Sequence, residues 1–472
     1  MARDMGDTGN TGNTGRLPRF ITNVVGTAAG LFYQVDQHGP PIPEEGPVLV
    51  TANHPNSLLD PLLVFRCSGR TTRPLAKAPL FEQLLLGTVL RALGGIPVYR
   101  RQDNPDVMHK NDEMFSAAVQ ALTDGGAIQI YPEGKSHSEP GLAEFRTGAA
   151  RIAIAAEEAM DWRLGLSVVP VGITYLRKDR ARTPVVVRFG EPFAFVDLKQ
   201  AYDSDPAEAV RILTDRIEAG IRKQTLNFVH PDDKTLVDVA ERLYVRQSGW
   251  VPWRAREGLG TRFPRLQRFA EGLEWIRREA PEEHDALRRK VDRYHALHTL
   301  VGAGEGEVPP QYGLMPVAKY IVVRGTLLVL GLPVALLGGL LWGLLPLAPR
   351  AAVRVARPEF EATATYKLVG LMFGGVLLWL LWMILAWRWG GAWTGLAAAV
   401  LAPLLGYLAV QWLELLGQVR EDATLFLRLQ GRPDIRDRFA RQRGELIAAF
   451  QRVEERLLSQ AAADNVSASP GG

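Results

Sequence analysis

Cysteine is almost missing from this chain: Cys67 stands alone in 472 residues. A lone thiol excludes a disulfide framework and any cysteine-built metal cluster. Excess charge is missing too, since 55 Lys and Arg against 51 Asp and Glu leave a formal +4. So small an excess beside 47% hydrophobic residues excludes an intrinsically disordered chain. No apolar stretch follows a basic start near Met1, so no secretory leader is expected. The length by itself suggests roughly three domains of ~150 residues. A mean hydropathy of −0.03 points to a soluble protein, but an average cannot see segregation.

Along the chain the composition is strongly segregated. Residues 1–15 are Gly, Thr, Asn and Asp and read as a disordered tail. In residues 17–33, Phe20, Val24, Ala28 and Leu31 recur at helical spacing. That helix either packs on its own domain or lies in a membrane interface. Residues 47–230 alternate strand-like and helix-like patches. The strands are Pro47–Ala52, Gly126–Tyr131, Ser167–Tyr175 and Pro184–Phe189. The helices are Leu80–Leu93, Asp106–Leu122, Thr147–Met160 and Ala207–Leu226. Such alternation implies an α/β domain, with a mixed sheet flanked by helices, over residues 16–230. Residues 231–312 are charged and helical in pattern and read as a connector. Residues 416–460 read as a C-terminal amphipathic helix and residues 461–472 as a second disordered tail.

Between them, residues 313–415 form a transmembrane region. Gly325–Ala348, Leu368–Trp387 and Trp389–Leu413 are uncharged runs of 24, 20 and 25 residues, each beyond the ~18 needed to span a bilayer. Arg350, Arg354, Arg357 and Lys367 follow the first run, and Arg420 to Arg443 follow the third, so both segments are expected on the cytoplasmic side. The second and third runs then form a hairpin. The first run carries Gly331, Pro333 and Gly338-Gly339 and is expected to bend there into a re-entrant hairpin; three simple crossings is the alternative. The expected location is the cell membrane, multi-pass, with the α/β domain cytoplasmic.

Four short patterns carry candidate chemistry. Asn53-His54-Pro-Asn-Ser-Leu-Leu-Asp60 follows a strand, where α/β sheets place functional loops. His54 and Asp60 could form a base and its orienting carboxylate, or a capped turn. Gly94-Gly95-Ile-Pro-Val-Tyr-Arg100-Arg101 combines close backbone approach with two guanidinium groups suited to phosphate, or is a surface turn. Pro132-Glu133-Gly134-Lys135-Ser136-His137-Ser138 suits a loop whose backbone N–H groups hold an anion, or an ordinary glycine turn. Val169-Pro-Val-Gly172 is a strand whose Pro and Gly imply an edge, a bulge, close backbone approach or simple core packing. Cys67 lies on an apolar stretch and reads as packing. His109, His137 and His230 lack metal-ligand spacing, so no metal site is expected.

In that order the four patterns resemble the motif series of the membrane glycerolipid acyltransferases. Pro132-Glu-Gly-Lys-Ser-His and Phe145-Arg146-Thr-Gly-Ala-Ala-Arg look most similar to the fungal-type glycerol-3-phosphate/dihydroxyacetone-phosphate acyltransferases and their bacterial relatives. Ala-, Arg- and Gly-rich usage suggests a bacterial source of high GC content. The resemblance covers residues 35–230 and departs in two places. The family usually has four residues between His and Asp, and this chain has five. The arginine usual in the third motif is absent, leaving Lys135 or Arg146 to supply that charge.

The resemblance implies acyl transfer from acyl-CoA or acyl carrier protein to a hydroxyl of glycerol-3-phosphate or a close phosphorylated acceptor, in phospholipid biosynthesis. His54 would be the general base and Asp60 its orienting partner. Backbone N–H groups of Gly94–Val98 would stabilise the oxyanion, and Arg100 would hold the acceptor phosphate. Asn53, Gly95, Arg101, Glu133, Gly134, Lys135, Ser136, His137 and Arg146 would complete the substrate site. No cofactor is implied. The partners are a phospholipid membrane, a glycerol phosphate or lysophospholipid acceptor and an acyl thioester, with no nucleic acid. Two rival readings remain: a 1-acylglycerol-3-phosphate or lysophospholipid acyltransferase, and a non-catalytic lipid-binding scaffold built on a degenerate domain.

Overall fold

Four runs rich in β-branched residues become the interior of one sheet. In the computed structural model, which describes residues 24, 26–99, 110–139, 141–228, 231–245, 258–301, 314–430 and 432–467, two compact units emerge. One comprises residues 1–226 with 353–368, the other residues 227–352 with 369–472.

The first unit contains, in chain order, β1 (Gln34–His38), β2 (Val48–Ala52), α1 (Leu59–Ser68), β3 (Thr72–Lys77), α2 (Ala78–Glu82), α3 (Leu84–Ala92), β4 (Ile96–Val98), α4 (Lys110–Thr123), β5 (Ala127–Ile130), α5 (Gly148–Glu158), β6 (Ser167–Tyr175), β7 (Pro184–Phe189), α6 (Lys199–Ser204) and α7 (Pro206–Gln224). The strands form a seven-stranded sheet in the order β1-β7-β6-β2-β5-β3-β4. Every neighbouring pair is parallel except β6–β7, so the sheet is mixed. A central strand of a parallel sheet is covered on both faces and so is apolar throughout. Accordingly, Val48, Leu49, Val50 and Ala52 of β2 have no exposed surface. Leu49, Ile128, Ile130 and Val168 join Leu122, Ile152, Leu213 and Ile217 of α4, α5 and α7 in one core cluster, while α1 packs on β3 and β7.

β1, β3 and β4 carry no sequence signal: Gln-Val-Asp-Gln-His, Thr-Arg-Pro-Leu-Ala-Lys and Ile-Pro-Val are polar, proline-containing or short. They occupy the outer positions of the sheet, where burial is incomplete and proline is tolerated. The described part of the N-terminal helix, residues 26–32, packs on its own domain through buried Ala29 and Phe32. β6 is an interior strand between β2 and β7, so Pro170 and Gly172 mark no edge. Gly172 instead admits close approach of α7: a Cβ there would stand 2.0 Å from the Gln224 carbonyl oxygen.

The second unit is helical among the described residues. α8 (Pro231–Val245), α9 (Leu259–Glu279) and α10 (Pro281–Val301) are followed by α11 (Leu314–Trp342), α12 (Leu347–Ala356), α13 (Thr363–Gly390), α14 (Ala392–Gln430) and α15 (Pro433–Ser467). Three stretches are long and apolar enough to cross a membrane: Ala318–Ala356, Phe360–Gly390 and Ala392–Arg428. α11 runs unbroken through Gly331, Pro333 and Gly338-Gly339, so the bend expected there is absent. Two of these glycines serve close helix packing instead. A Cβ at Gly331 would stand 2.6 Å from Trp412, and one at Gly338 would stand 2.4 Å from the Leu405 carbonyl oxygen. The indole N–H groups of Trp342, Trp412 and Trp382 donate to the carbonyls of Ala402, Leu328 and Leu341 at 2.8–2.9 Å.

Those contacts fix direction. α11 runs antiparallel to α14, with Leu328 opposite Trp412 and Trp342 opposite Ala402. The chain then reverses through residues 343–346. Leu341 meets Trp382, while Ala348 and Pro349 lie against Gly374 and Gly370, earlier in α13. The first apolar run is therefore a helical hairpin whose turn lies ten residues after Pro333.

Gly172→Ala should lower the melting temperature of the solubilised protein, at a cost of about 1–3 kcal/mol from overpacking against backbone. Gly148→Ala, where a Cβ would meet nothing within 4 Å, should leave it within a degree or two of wild type, about the spread of neutral surface changes.

Candidate active site

Because β2 pairs in parallel with both β5 and β6, the chain leaves all three strands at one edge of the sheet. Open α/β sheets present functional loops there. β2 delivers Asn53 and His54, β5 delivers Tyr131 to Glu133, and β6 ends at Tyr175.

Asn53 closes the β2–β6 seam. Its side-chain amide donates to the Ile173 carbonyl at 3.0 Å and accepts from the Ile173 N–H at 2.7 Å. Both ends of the amide are engaged within the fold, so Asn53 holds the two strands in register beside the site. The chain next makes a turn over Asn56–Asp60, with Leu59 N–H on the Asn56 carbonyl and Asp60 N–H on the Ser57 carbonyl. Ser57 adopts φ 45°, a left-handed conformation uncommon for a residue with a Cβ. That turn absorbs the fifth residue between His54 and Asp60 and lets the first turn of α1 carry Asp60 back under the histidine.

Asp60 has no exposed surface. Its Oδ2 lies 2.9 Å from His54 Nδ1 and accepts the Asn56 N–H at 2.7 Å. Its Oδ1 accepts the Tyr175 hydroxyl at 2.6 Å. A carboxylate can only accept, so Nδ1 of His54 carries the proton of this bond, and in the neutral imidazole Nε2 then holds the lone pair. Nε2 has no hydrogen-bond partner among the described residues, and the His54 side chain is 17% exposed. The Tyr131 ring stacks on the imidazole with centroids 4.2 Å apart. The Tyr131 hydroxyl is tied to Gln129 and thence to Thr72. Burial, reinforced by the Asp60 charge, holds both Tyr131 and Tyr175 well above the ordinary phenol pKa, so Tyr175 remains a donor to Asp60.

Glu133 is buried and engaged at both oxygens. Oε1 accepts the His54 N–H at 2.8 Å, while Oε2 accepts the Ala143 N–H at 2.9 Å and pairs with His137 Nε2. Glu133 therefore positions the His54 backbone and ties it to Ala143 and His137. His137 returns the contact, its N–H donating to the His54 carbonyl at 3.3 Å. Gly134 adopts φ 68° with the Arg146 side chain against its α-carbon, 2.9 Å from where a Cβ would stand. Arg146 thus brings a cation beside the third motif. Lys135 is exposed and Ser136 half-buried at the same loop.

The second motif behaves differently. Gly94 and Gly95 donate their N–H groups to the Arg91 and Leu90 carbonyls at 3.0 and 2.8 Å, which takes them away as oxyanion donors. Gly95 is a packing residue, with no room for a Cβ against the Leu90 carbonyl. Arg100 and Arg101, with His109 and His230, lie outside the described residues. Burial pushes the Cys67 thiol up to about 11, so it supplies no thiolate nucleophile near neutral pH. Sequence reasoning missed Tyr175, Tyr131 and Asn56. Tyr175 and Tyr131 stand at or just past the ends of β6 and β5, and that placement was the available signal.

Residues 34–174 match the family model described as Acyltransferase. Over 136 residues the chain is 33% identical to glycerol-3-phosphate O-acyltransferase 2 of Saccharomyces cerevisiae, covering 28% of this chain and 18% of that protein. Over 178 residues it is 27% identical to glycerol-3-phosphate O-acyltransferase 1 of the same yeast, covering 37% of this chain and 21% of that protein. A crystal structure of the 1-acyl-sn-glycerophosphate acyltransferase of Thermotoga maritima aligns at 21% identity and a TM-score of 0.31, over 42% of this chain and 78% of that one. The matched stretches span about a fifth of the two yeast proteins. The two yeast relatives give no support to the bacterial source that composition suggested. Residues 34–174 are thus similar in sequence to the acyltransferase family, and stretches of 136 and 178 residues to the two yeast glycerol-3-phosphate O-acyltransferases.

Tyr175→Phe leaves Asp60 one donor short. Breaking a hydrogen bond to a buried charged group costs about 1.5–3 kcal/mol, so chemical denaturation of the variant should show a loss of that size. A loss below a few tenths of a kcal/mol would show that Asp60 does not depend on the tyrosine.

Proposed function

We propose that this protein transfers a fatty acyl group from an acyl thioester, acyl-CoA or acyl carrier protein, to a hydroxyl of glycerol-3-phosphate or a close phosphorylated acceptor. The observation that carries this reading is the open Nε2 of His54, held in one tautomer by a fully buried Asp60, inside a domain that matches the acyltransferase family. In the proposed reaction the acceptor hydroxyl attacks the thioester carbonyl while its proton passes to His54 Nε2. The new C–O bond forms, the C–S bond breaks, and the thiolate leaving group takes the proton from the imidazolium. Asp60 stabilises that imidazolium and fixes its orientation. Glu133 and Tyr131 hold the ring's backbone and face. Arg146 and Lys135 supply positive charge beside the motif loops and favour a phosphate monoester over an uncharged acceptor.

The membrane arrangement supports the same reading. Trp342 lies level with Ala402, ten residues or about 15 Å into α14 at 1.5 Å per residue. The first hairpin therefore stops short of the α13–α14 turn. Residues 353–368, which follow it, belong to the N-terminal unit. We read the first run as re-entrant and the α13–α14 pair as crossing and returning. Arg350, Arg354, Arg357 and Lys367 then lie on one side of the bilayer, the cytoplasmic side by the positive-inside rule.

Membranes carrying the full chain should acylate at least one of glycerol-3-phosphate, dihydroxyacetone phosphate and 1-acylglycerol-3-phosphate when each is offered with labelled acyl-CoA. His54→Ala should lower the rate by about 10²–10⁴, the range of general-base catalysis. Retained activity in that variant would remove His54 from the mechanism. Asp60→Asn should cost a rate of the same order by favouring the wrong tautomer. For the topology, Arg354→Cys and Trp393→Cys in a Cys67→Ser background should react with an impermeant maleimide from opposite sides of sealed vesicles. Labelling of both from one side would refute the arrangement.

A further inference from the structure

Residues 353–368 join two apolar helices, yet they cluster with the N-terminal domain and not with those helices. Polar side chains fasten the segment there. Lys367 Nζ donates to the Asp179 carbonyl. Glu361 accepts a hydrogen bond from the Ser138 hydroxyl and lies 3.8 Å from Lys178 Nζ. The ring of Phe360 sits beneath the same ammonium, 5.3 Å from it.

Lys178 links this segment to the active site. It stands three residues past β6, and its backbone carbonyl accepts from Asn56 Nδ2 and the Tyr33 hydroxyl. Its ammonium donates to the carbonyls of Pro55 at 2.7 Å and His137 at 3.2 Å. Pro55 follows His54 in the chain, and His137 is bonded to His54 and Glu133. The cation is therefore one residue removed from the proposed general base, and its side chain is only 13% exposed. Burial works against its charge and lowers its pKa from the ordinary lysine value, with Glu361 and Asp60 opposing that shift. An ammonium has three donors. Two are engaged by carbonyls, and the remaining one suits an anion. The buried Nδ1 of His137 also lacks a partner among the described residues, a second unfilled hydrogen-bonding position at the same rim.

We propose that Glu361 is a specificity-determining residue: it occupies the Lys178 ammonium and the Ser138 hydroxyl at the rim of the His54 site and cedes them to the anionic headgroup of the acceptor. This rests on the acyl-transfer reading above. Glu361 and Lys178 lie outside all four sequence motifs. A phosphate monoester offers more charge and more acceptor oxygens than one carboxylate, so it displaces Glu361. An acceptor without an anionic group does not. Selection is thereby built into a segment that the membrane helices deliver.

The test uses the full chain in membranes or detergent, with steady-state kinetics against acceptor and acyl-CoA separately. Inorganic phosphate serves as an acceptor-site probe, both as an inhibitor and by calorimetric binding. Glu361→Gln removes the competing charge. It should lower the acceptor KM about two- to fivefold, the ratio that a partly exposed ion pair supports, and tighten phosphate binding to match. Lys178→Met should raise the acceptor KM about tenfold or more, as expected for a lost charge-assisted hydrogen bond, with the acyl-CoA KM within about twofold. Two results would overturn the proposal: a higher acceptor KM in Glu361→Gln, which would make the carboxylate a binding group, or no change in either KM or phosphate affinity. Should Lys178→Met fail to fold, Glu361→Gln decides alone. If the wild-type chain acylates none of the acceptors, the acyl-transfer reading fails, and the calorimetric phosphate comparison still decides the role of Glu361.

Discussion

A carboxylate with no exposed surface, Asp60, sits under His54, and the local fold is arranged around its needs. Taking an ion of this kind out of water costs several kcal/mol even after relaxation. Asp60 recovers that cost through three donors from different parts of the chain: the Asn56 N–H in its own turn, the His54 imidazole before that turn, and the Tyr175 hydroxyl at the end of β6. Each donor is held in turn. Asn56 is anchored by Tyr33, Tyr175 by its strand, and His54 by Glu133 and the stacked Tyr131 ring. Removing one donor therefore disturbs a network in which partial satisfaction is worse than none.

Glu133 solves the matching problem one layer out. A loop leaving β2 exposes backbone N–H groups that no neighbouring strand can satisfy. A buried carboxylate from the β5 loop accepts the one at His54 and another at Ala143. The two loops are thereby made mutually dependent, and the imidazole is fixed at both its ring and its backbone. For the proposed reaction, preorganisation of this kind would hold His54 ready for an incoming hydroxyl without reordering.

The parts of this arrangement that were legible in sequence are those encoded by runs and spacings. Continuous apolar runs marked β2, β5, β6 and β7 because interior strands are buried on both faces, and the histidine and its aspartate followed from their place after β2. The outer strands were hidden because partial burial leaves no apolar signature in Gln34–His38 or Ile96–Val98. Side-chain roles were hidden for a different reason. Asn53, Gly95 and Glu133 sit in motifs that suggest ligand contact, but whether a polar group faces a ligand or a backbone carbonyl depends on pairing between strands far apart in sequence. Tyr175 was invisible as a site residue because an aromatic at the end of a strand reads as core. Gly331 and Gly338 show the same ambiguity within a helix, since a glycine that permits bending also permits another helix to approach.

The α/β unit is followed by three long apolar helical stretches, and the short charged segment between the first and second of them belongs to that unit. A hydrophobic anchor needs no such return; any apolar helix would hold the domain at a bilayer. The reversal at residues 343–346 brings the chain back, and it does so with Phe360, Glu361 and Lys367 placed against Lys178, Ser138 and the Asp179 carbonyl. Lys178 and Glu361 are largely buried in these contacts, so leaving their ion pair unmade would strand a charge, a cost of a few kcal/mol. A segment that merely linked two membrane helices would be free of that constraint. Its attachment to Lys178 and Ser138, near His137 and His54, is what gives Glu361 the role proposed for it.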